Sequence, residues 1–258
     1  MAARRIRIDL AYRGSAFHGF AANPGVATVE ATLVENIEKV LRHPIDLVVA
    51  GRTDRGVHAT GQVVSFDTTA DHFDAQRLKS ALNKLCAPDI AISSVDEVGA
   101  DFHARFSAMG RRYRYRLLVS EVPDPLRADL VWWVPPPVDL GVLNRVASML
   151  VGTHDFSGFC RRPKRQPDAS MVREVREAQW SEVGDELQFV IAANAFCHQM
   201  VRSIVGTSVE VARGRLDLDV VAQLLDTGDR NLAPELAAPQ GLALECGEFR
   251  GEALGCGE

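Results

Sequence analysis

Apolar and polar residues alternate through "RRIRIDLAYRG" (4–14), where Ile6, Ile8, Leu10 and Tyr12 take every second position, so this stretch is expected to be a strand with one buried face. The period then changes. Val29, Leu33, Ile37, Val40 and Leu41 recur at helical spacing in "VEATLVENIEKVLRH", and Thr28 is placed to cap that helix. "DLVVAG" (46–51) and "GQVVSFDT" (61–68) read as strands on either side of a polar turn. Asp74 to Cys86 is expected to be helical with Leu78, Leu82 and Leu85 as its stripe, and "DIAISSVDEV" and "FSAMGRRYRYRLLVS" read as strands.

Prolines in "VPDP" and "VPPPVD" then mark a break. Beyond it, Leu140 to Val151 is a predicted helix and "VREVREAQWSEV" with "ELQFVIAANA" a predicted hairpin. "HQMVRSIVGTSVEVARG" is expected to be an amphipathic helix closed by Gly214, followed by a shorter helix over about Leu218 to Leu225 and a last strand in "GLALECGEF". Short connections favour antiparallel neighbours, and the order of elements makes the chain α/β (α+β). Two halves are expected, 1–120 and 121–258.

Composition narrows the class. With 258 residues, 47% of them apolar, the chain is long enough for one large domain or two ordinary ones. No run approaches the roughly 18 consecutive apolar residues of a membrane span, and the N-terminus becomes a strand pattern where a signal peptide has its apolar core, so a cytoplasmic location is expected. Five scattered cysteines without a C-x-x-C pair suggest neither a disulfide framework nor a zinc site. The seven histidines form no metal-binding pattern and read as structural hydrogen-bonders. Net charge is −5, yet basic residues gather in "RRYRYR" (Arg111, Arg112, Arg114, Arg116) and "CRRPKRQ" (Arg161, Arg162, Lys164, Arg165). Each run is either a solvated face or part of an anion-binding surface.

The densest chemistry lies in "AGRTDRGVHA" (50–59). Gly51 and Gly56 have phosphate-loop spacing, but Val57 and His58 stand where Lys and Ser/Thr belong, which excludes that kind of nucleotide binding. Asp54 remains, with Arg52 two positions before it and Arg55 directly after. In an extended segment Arg52 and Asp54 project to one side, and a neighbouring guanidinium keeps a carboxylate ionised. That suits a nucleophile, and it equally suits an ion pair pinning a turn.

"AGRTDRGVHATGQVVSF" resembles the signature of the tRNA pseudouridine synthase A family. "YRGSAFHGF", "DFHARFSAMGRRYRYRL" and "ANAFCHQMVRSIVGT" resemble three further motifs of that family, in the same order, so the resemblance spans essentially the whole chain. It implies a pseudouridine synthase fold: two halves, each a mostly antiparallel mixed sheet with helices on one side, meeting at a central cleft. It also implies isomerisation of uridine to pseudouridine at positions 38 to 40 of the tRNA anticodon arm, without cofactor or metal, by a homodimer.

Residue by residue, the resemblance implies Asp54 as nucleophile, with Arg52 holding it ionised and filling the place of the extruded base. Tyr113 corresponds to the active-site tyrosine, a choice that spacing alone leaves open between Tyr113 and Tyr115. Leu242 would pack on the base and Arg202 would lie near the carboxylate. Arg55, His58, Arg111, Arg112, Arg161 and Arg162, with Arg114, Lys164 and Arg165, are candidates for shaping the site or contacting phosphates. The chain departs from the family pattern in three places: Arg55 replaces an alanine, Arg13 a common aspartate, and "FAANPG" lacks two glutamines. Two other classes remain, a non-catalytic RNA-binding protein and a hydrolase pairing Asp54 with His58. The first gives no reason to keep the carboxylate, and the second predicts metal dependence or small-substrate turnover.

Overall fold

A computed structural model describes residues 3–163 and 166–249 of the chain. They divide into two compact units: residues up to Met109 together with Ala243 onward, and Gly110–Leu242.

In the first unit β1 (Arg4–Tyr12) pairs antiparallel with β3 (His58–Thr68) on one side and β4 (Ile90–Val98) on the other. The two-residue β2 (Val48–Val49) also pairs with β3. The last strand, β10 (Leu242–Phe249), runs parallel to β3 through Ala243 and Leu244. The alternation read from sequence holds, since Ile6, Ile8, Leu10 and Tyr12 are all buried. Helix α1 (Val29–Leu41) starts where Thr28 Oγ1 accepts the Ala31 N–H, and it buries Val29, Leu33 and Ile37. Helix α2 (Ala75–Leu85) is capped by Asp74 and packs on β4 and α1. Leu85 departs from its expected stripe: it ends the helix and stays exposed.

The second unit orders its strands β5 (Ala108–Val119), β9 (Glu186–Ala193), β8 (Val172–Val183) and β7 (Gly152–Asp155), all antiparallel, with β6 (Trp132–Val134) parallel to β5. The β8–β9 hairpin turns at Gly184, whose φ of 64° suits glycine. Asp139 caps α3 (Leu140–Leu150), which packs on β8 and on α4 (Met200–Ala212). Helix α5 (Asp219–Thr227) ends at the left-handed Gly228. The mixed α/β class and the mostly antiparallel pairing agree with the expectation from sequence.

Two expectations are corrected. Helix α4 is not amphipathic in its setting, because almost every position from Met200 to Ala212 is buried, Ser203, Thr207 and Ser208 included. Small polar residues tolerate this where they find a local partner, as when Thr207 Oγ1 donates to the Ser203 carbonyl and Ser208 Oγ to that of Ile204. The cysteines, expected to form no disulfide framework, do supply a disulfide, since Cys160 and Cys197 are bonded with Cα atoms 5.8 Å apart. The two lie 37 residues apart in sequence, a separation with no local signature, and only tertiary packing joins them.

A charged network ties β5 to β9. Arg116 grips Glu186 through two hydrogen bonds of 2.8 and 2.7 Å, and Arg127 adds a third at 3.2 Å. Burial alone would raise the Glu186 pKa, but these arginines overcome it and hold the carboxyl below its usual range. A carboxyl depressed by folding stabilises the protein above its unfolded pKa, and that contribution is lost as pH falls through the folded value. Glu186→Gln is therefore expected to cost about 1.5–3 kcal/mol at pH 7 and to flatten the loss of stability below about pH 4, as measured by urea denaturation at stepped pH.

Candidate active site

The turn that carries Asp54 lies between β2 and β3. The Val57 N–H donates to the Asp54 carbonyl at 3.1 Å, and Gly56 in third place has a φ of 80° while Arg55 does not take a positive φ, which is type II turn geometry. Along the turn Arg52 and Arg55 are exposed, Asp54 is half-buried, and Thr53, Val57 and His58 are buried. Arg55 occupies the second position of the turn, where any L-residue fits and the side chain faces water. A bulky side chain at this place therefore leaves the backbone of the turn undisturbed.

The segment from Tyr12 to Phe20 forms the wall behind this turn. The Phe20 N–H donates to the Thr53 carbonyl at 3.0 Å, and the Gly14 N–H donates to His58 Nδ1 at 3.1 Å. The second bond requires Nδ1 to be unprotonated, so neutral His58 carries its proton on Nε2. Buried and bonded in this way, His58 belongs to the wall of the turn rather than to its exposed face. The approach is so close that a Cβ on Gly14 would meet the Val57 carbonyl oxygen, and one on Gly19, whose φ is 103°, would press on Thr53 and Arg55. Glycine is required at position 14 by contact and at position 19 by backbone conformation.

In the second unit the two tyrosines of β5, which spacing left undivided, have different surroundings. Tyr115 is fully buried, donates to the Ala238 carbonyl at 2.7 Å and sits edge-on to Trp132. Burial pushes its hydroxyl well above the usual pKa, with the Arg202 charge acting the other way, so it stays a proton donor to that carbonyl. Tyr113 meets the ring of Phe196 edge-on at 4.9 Å. Phe196 belongs to the stretch "ANAFCHQMVRSIVGT", and no pattern in the sequence pairs it with Tyr113.

Arg202, on α4, is half-buried and donates from Nε to the Ala237 carbonyl at 2.8 Å, while the Ala237 N–H returns a bond to the Arg202 carbonyl. Gly206 permits this crossing, because a Cβ there would strike the Glu235 carbonyl. Leu242 is buried at the start of β10.

The basic run on β5 is largely engaged with the protein itself. Arg112 lies 3.2 Å from Glu177, Arg114 donates to Gln188 Oε1 at 2.6 Å, and Arg111 reaches the Asn194 carbonyl at 3.5 Å. Arg161 and Arg162 are exposed, and Arg162 bonds to the Pro167 carbonyl and Ser157 Oγ. Lys164 and Arg165 lie outside the described residues. Among the described residues no group of three or more His, Cys, Asp or Glu is placed to hold a metal ion, and no helix is long and apolar enough to cross a membrane.

A carboxylate on a fixed turn, with exposed guanidinium groups on both sides, suits an enzyme that brings an acidic side chain to a polyanionic substrate. A family model described as tRNA pseudouridine synthase matches residues 10–107 and 146–249. The tRNA pseudouridine synthase A of Halalkalibacterium halodurans is 40% identical, over 93% of this chain and 90% of its own length. Those of Corynebacterium glutamicum and Bifidobacterium animalis subsp. lactis are 39% and 38% identical over 93% of this chain, covering 87% and 92% of their own lengths. The chain belongs to the tRNA pseudouridine synthase family, a family of isomerases.

Because a methyl at position 14 collides with backbone rather than with a movable side chain, Gly14→Ala is expected to displace the turn. It should abolish most activity and lower the melting temperature, as measured by turnover on tRNA transcripts and by calorimetry.

Proposed function

We propose that this chain isomerises uridine to pseudouridine at positions 38 to 40 of the tRNA anticodon arm, with Asp54 as the nucleophile. The observation that carries this is the half-buried Asp54 on its type II turn, flanked by the exposed Arg52 and Arg55, inside the sequence that resembles the family signature. The reaction breaks the bond from N1 of uracil to C1′, turns the base and forms the bond from C5 to C1′, while C5 gives up a proton and N1 gains one. No atom is gained or lost overall. An ionised carboxylate serves attack at C1′, attack at C6, or formation of a glycal alike.

The remaining assignments follow the same reading. The target base leaves the stack, and Arg52, exposed beside Asp54, keeps the carboxylate ionised and fills the gap. Tyr113 stacks on the extruded uracil and takes part in proton transfer, Leu242 packs on the base, and Arg202 supplies a further cation. Arg55, Arg161 and Arg162, exposed as they are, contact phosphates; Arg111 and Arg112 contribute by exchanging protein acceptors for RNA. His58 shapes the turn. The working form is a cytoplasmic homodimer holding each tRNA across both subunits, which enlarges the basic surface of a chain with a net charge of −5.

The test is position-resolved pseudouridine mapping on unmodified tRNA transcripts incubated with chelator. The parent protein is expected to convert uridine within positions 38 to 40, and Asp54→Asn to lose about a thousandfold or more in rate while still binding tRNA. Full activity of Asp54→Asn would show that another group does the chemistry. For binding, Arg161→Ala is expected to lower the slope of log affinity against log salt by about 0.7–0.9, in filter-binding titrations from low to moderate salt. An unchanged slope removes Arg161 from the phosphate contacts.

A further inference from the structure

Tyr12, Thr53 and Gln62 have no role in the chemistry above, yet they form a buried polar chain directly behind Asp54. The Tyr12 hydroxyl lies 2.7 Å from Thr53 Oγ1. Gln62 Nε2 donates both to Tyr12 Oη, at 3.2 Å, and to the Gly51 carbonyl, at 2.8 Å, while Gln62 Oε1 accepts from the Val63 N–H at 3.2 Å. All three side chains are buried, Gln62 completely. The register of β1 on β3 shifts between Tyr12 and Gln62: Leu10 pairs with Gln62 but Tyr12 pairs with Ala59, so β3 carries an extra residue at Thr60–Gly61.

These bonds act on the backbone around Asp54. The peptide before it is fixed by the Phe20 N–H on the Thr53 carbonyl, and the peptide after it by the Val57 N–H on the Asp54 carbonyl. Gln62 holds the start of the turn at Gly51, and Tyr12 holds the Thr53 side chain from below. With both flanking peptide planes and the residue before it tied down, the Cα–Cβ bond of Asp54 is held in one direction. An apolar trio would fill the same space without the cost of burying an amide, a phenol and a hydroxyl, so the polar chain has an orienting task beyond packing.

Resting on the assignment of Asp54 as nucleophile, we propose that Tyr12, Thr53 and Gln62 are positioning residues for the reaction, a buried hydrogen-bond chain that sets the direction of the Asp54 carboxylate and holds the turn rigid against an extruded nucleoside. Misplacing a reacting group by about 1 Å costs up to a hundredfold in rate, whereas tRNA affinity rests on phosphate contacts that this chain does not touch.

The experiment compares Tyr12→Phe, Thr53→Val, the double variant and Thr53→Ser in single-turnover pseudouridine formation, tRNA filter binding and thermal melting. Each hydroxyl deletion is expected to slow the single-turnover rate about tenfold or more and to leave tRNA affinity within about twofold. The double variant should be no slower than the slower single one, because both cut the same link, and Thr53→Ser should recover most of the rate. If Tyr12→Phe and Thr53→Val keep the parental rate and only melt earlier, or if the loss lies in tRNA affinity, the chain is structural and the proposal is overturned. Gln62→Met, which cuts the chain at its other end, is judged by the same outcomes should Thr53→Val fail to fold. An active Asp54→Asn would overturn the nucleophile assignment itself. An inactive Asp54→Asn beside fully active Tyr12→Phe and Thr53→Val would overturn the positioning chain alone.

Discussion

The candidate site depends on one close backbone contact, the segment 12–20 pressed against the turn 51–58 with no side chain between Gly14 and the Val57 carbonyl. Two glycines make the contact sterically possible, and three hydrogen bonds give it direction: Phe20 N–H to the Thr53 carbonyl, Gly14 N–H to His58, and the Tyr12–Thr53 hydroxyl pair. A loop that presents a carboxylate to a large substrate would otherwise sample many conformations and lose rate to disorder. Here the turn is fastened from behind by backbone, which leaves its front face, with Arg52 and Arg55, open to solvent. The N-terminal motif and the aspartate motif, separated by some thirty residues of helix and loop, work as one structural element.

The second unit handles charge differently. In the run "RRYRYR" the even-numbered arginines share one face of β5, and that face meets Glu177, Gln188 and Glu186 in turn. Such a row joins strands through charge-assisted bonds and pairs the polar groups that the sheet buries. Among the described residues, Arg161 and Arg162 of the other basic run are the more open to a polyanion. A basic stretch in sequence is therefore an unreliable guide to an RNA-binding surface until its local acceptors are known. The same unit buries α4 almost completely and uses Gly206 to let residues 235–237 cross it, which pins Arg202 at both its side chain and its carbonyl.

Local physics made much of this legible in the amino-acid sequence. The period-two alternation of β1, the Thr28 cap and the Leu33–Ile37 stripe of α1, Leu78 and Leu82 of α2, and the β8–β9 hairpin are short-range features, and each appears where residue spacing places it. The Asp54 motif was legible because a carboxylate between two arginines at a glycine-bracketed turn is unusual, and because four motifs in order point to one family. Tertiary structure decided what depends on partners distant in the chain. It separated Tyr113 from Tyr115 by giving one the ring of Phe196 and the other the Ala238 carbonyl, it joined Cys160 to Cys197, and it enclosed α4. It also brought Tyr12 to Thr53 and Gln62 to Tyr12, since hydrogen bonds between residues 41 and 50 positions apart leave no periodic trace in sequence and exist only once the chain has folded.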